Sequence, residues 1–187
     1  MVRIIAGEFK HHRLTTPKGL ETRPTSDRLK ETLFNLIREK VAEAFFLDCF
    51  SGSGSIGIEA LSRGAGGVTL IECAPRAVQV IQRNLKSLAP SRPHQVELLT
   101  QSAQISLRIL QRRKRKFDIV FIDPPYNAVQ QYPQTLEQIH NCHILAPQAC
   151  VILEHSKWFT LPSRYYDLTR VRQVRHGDSQ LSLYRGP

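Results

Sequence analysis

The chain has 187 residues, 41% of them apolar and 7% aromatic, enough for one domain with a proper core and too few for two ordinary ones. No apolar run approaches the roughly 18 residues of a membrane span, and the opening residues lack the apolar core of a signal peptide, so a cytoplasmic protein without membrane contact is expected. Lys and Arg total 26 against 16 acids, a formal net charge of +10; this points to a polyanionic partner, the plain alternative being a protein that is merely soluble and positive.

In chain order, residues 2–9 and 12–17 suit a hairpin ahead of a helix over about 25–40. Thr25 or Ser26 would cap that helix, with Asp27 near its positive end. Leu29, Leu33, Leu36 and Ile37 give it an apolar stripe, while Arg28, Lys30, Arg38 and Lys40 share the other face with Glu31 and Glu39. Together with Lys10, His11, His12, Arg13, Lys18 and Arg23 this is either a nucleic-acid-facing extension or an ordinary solvated surface.

From residue 45 strand and helix alternate. A strand at 45–49 feeds Gly52, Gly54 and Gly57, spaced G-x-G-x-x-G, and a helix that ends near Arg63. The glycines at 64–67 stop it, and 68–72 form the next strand. Pro75 opens a helix whose Val78, Ile81 and Leu85 recur at three- and four-residue spacing as far as about Leu88. A strand at 95–99, a helix carrying Ile105, Leu107, Ile109 and Leu110, and a strand at 117–123 follow, the basic run 112–116 closing the helix. A helix around 134–141 and a strand at 149–155 come next, and 165–185 alternates like two strands about a turn at 176–178. Repeated β-α units with short connections mean a mostly parallel sheet covered on both faces, with a closing antiparallel hairpin. One α/β domain is expected over 45–187, with 1–44 as a hairpin-and-helix extension of the same unit.

The four cysteines, Cys49, Cys73, Cys142 and Cys150, form no C-x-x-C pair, so neither a disulfide framework nor a zinc site is expected. His140 to His143 is the nearest thing to a ligand cluster, but it has no second half. The glycine turn is a nucleotide signal, and Glu72, at the end of the second strand of the run, is placed to accept hydrogen bonds from ribose hydroxyls. A dinucleotide or S-adenosylmethionine would be served equally well by these two features. Asp48 tips the balance, because it would lie near the ammonium end of S-adenosylmethionine and has no task beside a pyrophosphate.

The second motif is Asp123-Pro124-Pro125-Tyr126, at the C-terminal end of the fourth strand of the run. Two prolines stiffen the loop and remove N–H donors, so the corner presents acceptors, the Asp123 carboxylate and the Pro124 carbonyl. Two acceptors suit an exocyclic amino group, and Tyr126 suits the face of a flat base. The plainer reading is a rigid turn and nothing more.

These motifs, with 23–37, 47–65, 118–126 and 176–184 in order, resemble the RsmD family of bacterial enzymes, which methylate the exocyclic N2 of one guanine in 16S ribosomal RNA. The resemblance implies a Rossmann-like class I methyltransferase fold with a seven-stranded sheet, S-adenosylmethionine as cofactor, and the small ribosomal subunit or its RNA as partner of a monomeric enzyme with no metal. It assigns catalysis to Asp123, Pro124, Pro125 and Tyr126. The cofactor falls to Asp48, Phe50, Ser51, Gly52, Ser53, Gly54, Glu72, Cys73, Ser102 and Ala103. Arg23, Arg28 and Arg175 are the candidates for RNA contact. One position departs from the pattern: where such enzymes often place Asp or Asn against the adenine amino group, this chain has Ser102, an uncharged acceptor. The rival readings are an adenine-N6 methyltransferase, for which no target-recognition segment fits, an NAD-dependent oxidoreductase, which leaves Asp-Pro-Pro-Tyr idle, and an RNA-binding module without catalysis.

Overall fold

Short runs rich in β-branched and aromatic residues pair into the central sheet. The computed structural model describes residues 2–17, 26–88, 95–125 and 128–186. A hairpin opens the chain, β1 (Val2–Arg3) and β2 (Arg13–Leu14), ahead of helices α1 (Asp27–Leu36) and α2 (Arg38–Val41). Then come β3 (Phe45–Asp48), α3 (Ser55–Ser62), β4 (Gly67–Ile71), α4 (Pro75–Leu88), β5 (Val96–Leu99), α5 (Ala103–Arg112), β6 (Phe117–Ile122), α6 (Gln131–Cys142) and β7 (Leu145–Ser156). The chain closes with β8 (Arg164–Tyr165), β9 (Leu168–His176) and β10 (Ser179–Arg185).

The strand order is β5-β4-β3-β6-β7-β10-β9-β8. Strands β3 to β7 run parallel, and the last three run antiparallel to their neighbours. The seven strands expected are joined by an eighth at the edge, the two-residue β8, which pairs Arg164 with Thr169 and Tyr165 with Leu168. Side chains alternate across the sheet. Phe46, Leu70, Phe121 and Ile152 pack under α1 to α4, whereas Leu47, Ile71, Ile122 and Leu153 pack under α5 and α6. The chain starts its sheet at β3, winds outward through β4 and β5, then crosses back to β6. The gap beyond the C-terminal ends of β3 and β6 is therefore a topological switch point, where ligands of such sheets bind.

The expected helix over 25–40 is two. Ser26 caps α1 by accepting from the Leu29 N–H at 3.2 Å, and Thr25 lies outside the described residues. The helix breaks at Ile37 (φ −112°, ψ 14°), a turn that lets both Ile37 and Val41 be buried in the same core. Pro133 falls in the first turn of α6, where its missing N–H is not needed, so that helix starts earlier than the sequence suggested. The hairpin is held to the body by Glu59 of α3. Its carboxylate accepts from the Ile5 and Ala6 N–H groups at 2.8 and 3.0 Å, from Lys30 Nζ at 3.2 Å and from Arg63 Nε at 2.8 Å. Lys30, fully buried, also donates to the Arg3 carbonyl.

Candidate active site

The glycine turn joins β3 to α3. Gly54 is the N-cap of α3 at φ +78°, a left-handed conformation in which a side chain would be strained. Gly57 serves packing: a Cβ there would stand 2.3 Å from Leu70 Cδ2 on β4, so helix and strand approach this closely only without one. The turn is stitched to β4 by Ser51, whose N–H donates to the Ile71 carbonyl at 2.9 Å and whose Oγ accepts from the Ile71 N–H at 3.1 Å. Glu72, one residue past β4, reaches back: its Oε2 accepts from the Gly52 N–H and its Oε1 from the Ala74 N–H, both at 2.8 Å. Those bonds fix the carboxylate plane and leave each oxygen a lone pair.

A cavity of about 550 Å³ opens at the switch point. Asp48, Phe50, Ser51, Gly52 and Ser53 form one wall, Glu72 and Cys73 the next, and Ser102 with Ala103 the far end. Asp123, Pro124 and Pro125 complete the mouth just beyond β6. Gly54 sits behind the turn against Ile58 and Ile81 and shapes the wall from outside. The Ser102 hydroxyl is engaged as the N-cap of α5, accepting from the Ile105 N–H at 3.4 Å. Tyr126 and Arg23 lie outside the described residues. Arg28 and Arg175 are exposed and do not line the cavity.

The site also includes residues that the sequence reading passed over. Thr16 and Pro17, following β2, line the cavity, which brings the N-terminal extension to the glycine turn. Asn84 of α4 makes the junction: it accepts from the Thr15 N–H at 2.9 Å and donates to the carbonyls of Thr15 at 3.0 Å and Ser53 at 2.9 Å. Its signal was a lone amide on the buried stripe Ala77, Val80, Ile81 and Leu88. Gln104 donates to Gln131 Oε1 at 2.8 Å, bridging α5 and α6 at the cavity wall.

Three acids gather at adjacent strand ends. Asp48 ends β3, Asp123 follows β6, and Glu154 of β7 comes one position after Leu153, which pairs with Ile122. Asp48 is buried, its Oδ2 accepts from the Gly57 N–H at 3.3 Å, and its Oδ1 has no partner among the described residues. Burial pushes the Asp48 carboxyl up to about 7; the Gly57 N–H opposes the shift, the Glu72 charge adds to it, and the Phe50 N–H and Ser51 hydroxyl oppose it more weakly. Asp123 is half-buried toward the cavity, and desolvation, then the charges of Glu154 and Asp48, push its carboxyl well above the usual range. Such a cluster is poised for a cationic ligand and repels an anionic one.

A family model described as "Conserved hypothetical protein 95" matches residues 2–185. The chain is 36% identical over 184 residues to the ribosomal RNA small subunit methyltransferase D of Escherichia coli strain K12, covering 98% of this chain and 89% of that one. The enzyme of that name from Haemophilus influenzae is 37% identical over 156 residues, 83% of this chain and 79% of its own. Among solved structures, the Escherichia coli protein yhhF superposes with a TM-score of 0.84 at 30% identity, covering 99% of this chain and 97% of that one.

Proposed function

The chain belongs to the Conserved hypothetical protein 95 family, and from that membership and the cavity we propose that it methylates the exocyclic N2 of one guanine in small-subunit ribosomal RNA, within the assembled or assembling particle. The observation that carries the reading is the buried Asp48 Oδ1, without a partner among the described residues, in the same cavity as Asp123 and the glycine turn. S-Adenosylmethionine fits that donor set: it offers an ammonium for Asp48 and ribose hydroxyls for Glu72, and when bound it supplies an electrophilic methyl group. A pyrophosphate would meet the Asp48 and Asp123 carboxylates instead, which weighs against a nicotinamide cofactor.

The chain's own part is positioning and charge. The glycine turn presents backbone over the cofactor end of the cavity, and Ser102 and Ala103 border the far end. Asp123 and the Pro124 carbonyl accept the two protons of the target amine. Doing so favours the pyramidal, nucleophilic form of its nitrogen and stabilises the positive charge that develops there. Asp123 then stands ready to take the departing proton. The guanine must leave its stack to reach this corner, so an unpaired loop or bulge is the target. Direct attack by the amine needs no metal and no covalent enzyme intermediate. The enzyme works as a cytoplasmic monomer.

The test is transfer of labelled methyl from S-adenosylmethionine to small subunits from cells lacking the activity, to their naked RNA, and to unmethylated DNA. Label in N2-methylguanosine from the ribosomal substrate is expected. Label in N6-methyladenine or only in DNA overturns the guanine assignment. In parallel, S-adenosylhomocysteine raises the melting temperature and NAD does not.

A further inference from the structure

The loop after β7 displays an indole. Trp158 is 82% exposed, two residues past the end of β7, and is the single tryptophan of the chain. Tryptophan is highly buried on average, so an indole this open stands out. Its backbone is held firmly: the Trp158 N–H donates to Ser156 Oγ at 3.3 Å and the Phe159 N–H to the Ser156 carbonyl at 3.0 Å. Phe159 turns inward and stacks on Tyr132 of α6, ring centroids 5.2 Å apart. α6 begins with Gln131, a wall of the cavity, so the loop rests on the active-site scaffold. On its other side the Lys157 N–H donates to the Asp178 carbonyl at 2.8 Å, tying the loop to the turn between β9 and β10. The Lys157 ammonium lies 4.6 Å from the indole centroid and 2.6 Å from Asp178 Oδ1.

The loop lies on the same sheet rim as the catalytic corner. Leu153 pairs with Ile122, Asp123 follows Ile122, and Trp158 comes five positions after Leu153. On β9 the exposed Arg175 pairs with Gln180 of β10, which pairs with His155 near the end of β7, so its guanidinium stands at the same rim, on a chain whose formal charge is +10. A fixed, open aromatic with an exposed guanidinium at the same rim is a combination that binds an unpaired nucleotide, the ring taking the base and the cation a phosphate. We infer that Trp158 is a stacking platform for an unpaired base of the substrate RNA near the extruded guanine, with Arg175 on the adjoining hairpin holding its backbone. The inference rests on the RNA-methylation reading above. It adds a base-contact site outside the cavity, on the C-terminal side of the molecule.

The single tryptophan makes the test site-specific. Titrating the full-length protein with an oligoadenylate of about ten nucleotides should quench tryptophan emission saturably, while polyphosphate, a polyanion without bases, competes for binding and quenches little. Trp158→Ala should raise KM for small subunits roughly tenfold, with the loss carried mostly by KM, and Trp158→Phe should restore most of it. Equal quenching by both polyanions overturns the platform. So does absence of quenching, or an unchanged KM in Trp158→Ala, in a protein that methylates the subunits. An unchanged KM together with a shift from dimer to monomer in sedimentation would give the indole to a second copy instead, and also overturns it. Quenching by oligoadenylate in a protein that methylates no subunit supports the platform and counts against the methylation reading alone.

Discussion

Two sets of buried charge divide this molecule, and they are solved in opposite ways. Glu59, beneath the N-terminal hairpin, is saturated: two backbone N–H groups, the buried Lys30 and Arg63 all donate to it. Asp48, at the switch point, is under-supplied: one of its oxygens has no partner among the described residues, and desolvation pushes its carboxyl upward, as it does that of the neighbouring Asp123. A buried charge without enough donors is a standing penalty unless something else supplies them. The saturated site serves the fold, and the starved one is where the proposed ligand would bind.

The largest effect expected is on the structural side. Glu59→Ala leaves the Lys30 ammonium buried with the Arg3 carbonyl, so a loss of about 3–5 kcal/mol is expected by urea denaturation. Lys30→Met should cost less, because Glu59 keeps Arg63 and the two hairpin N–H groups. If both variants lose the same amount, the anchor depends on the Lys30–Glu59 pair as a unit and not on Glu59 alone.

Next comes the proposed catalytic corner. Asp123→Ala is expected to lower kcat by roughly 10²–10³-fold, about 2.7–4 kcal/mol of transition-state stabilisation. Calorimetry should show S-adenosylhomocysteine binding nearly unchanged, and melting should not fall, since the variant removes a desolvated acid rather than a satisfied one. Affinity dropping in step with rate would move Asp123 from the amine to the cofactor.

Asn84 lies between the two sets, tying the extension to the glycine turn through Thr15 and Ser53. Asn84→Ala leaves three backbone groups short of a partner, with about 1–3 kcal/mol at stake. The loss should appear both in stability and as a higher KM for S-adenosylmethionine. A loss of stability with KM unchanged would make the clamp purely structural.

How far the sequence disclosed all this follows from the range of each interaction. The β-α alternation, the glycine turn and the Asp-Pro-Pro corner are local in sequence, so period and turn chemistry exposed them. Asp48 and Glu72 were legible because a strand end is a fixed distance from the glycine turn. The bonds through Asn84 span 69 and 31 positions, and those from Glu59 to the hairpin span 54 and 53, so no local pattern announces them. Glu154 was equally hidden: its place beside Asp123 depends on the register of β6 with β7, which periodicity leaves open. The break at Ile37 came from burial overriding helix propensity, since the heptad-like stripe alone favours one continuous helix.

The smallest effect is also the most diagnostic, because only the starved site can show it. In the free protein burial raises the Asp48 carboxyl to about 7, so the folded state holds a proton that the unfolded chain releases near 4. Between those values the native state binds more protons, so the Asp48 contribution to stability is present at low pH and is lost as pH rises through 7. A ligand ammonium demands the ionised carboxylate, so below about 7 binding must expel that proton. Affinity for S-adenosylhomocysteine should then fall by up to tenfold per unit of pH below about 7 and level off above it, a slope of about 1.4 kcal/mol per unit. Calorimetry from about pH 5.5 to 8.5 measures it, and proton uptake or release can be read by varying the buffer's ionisation enthalpy. Asp48→Asn cannot ionise, so its profile should be flatter, its affinity at high pH lower, and its free-protein stability at high pH greater than that of the parent. A parent profile as flat as the variant's would mean that Asp48 does not meet the ammonium, and the contrast between the two charge sets would then be one of packing alone.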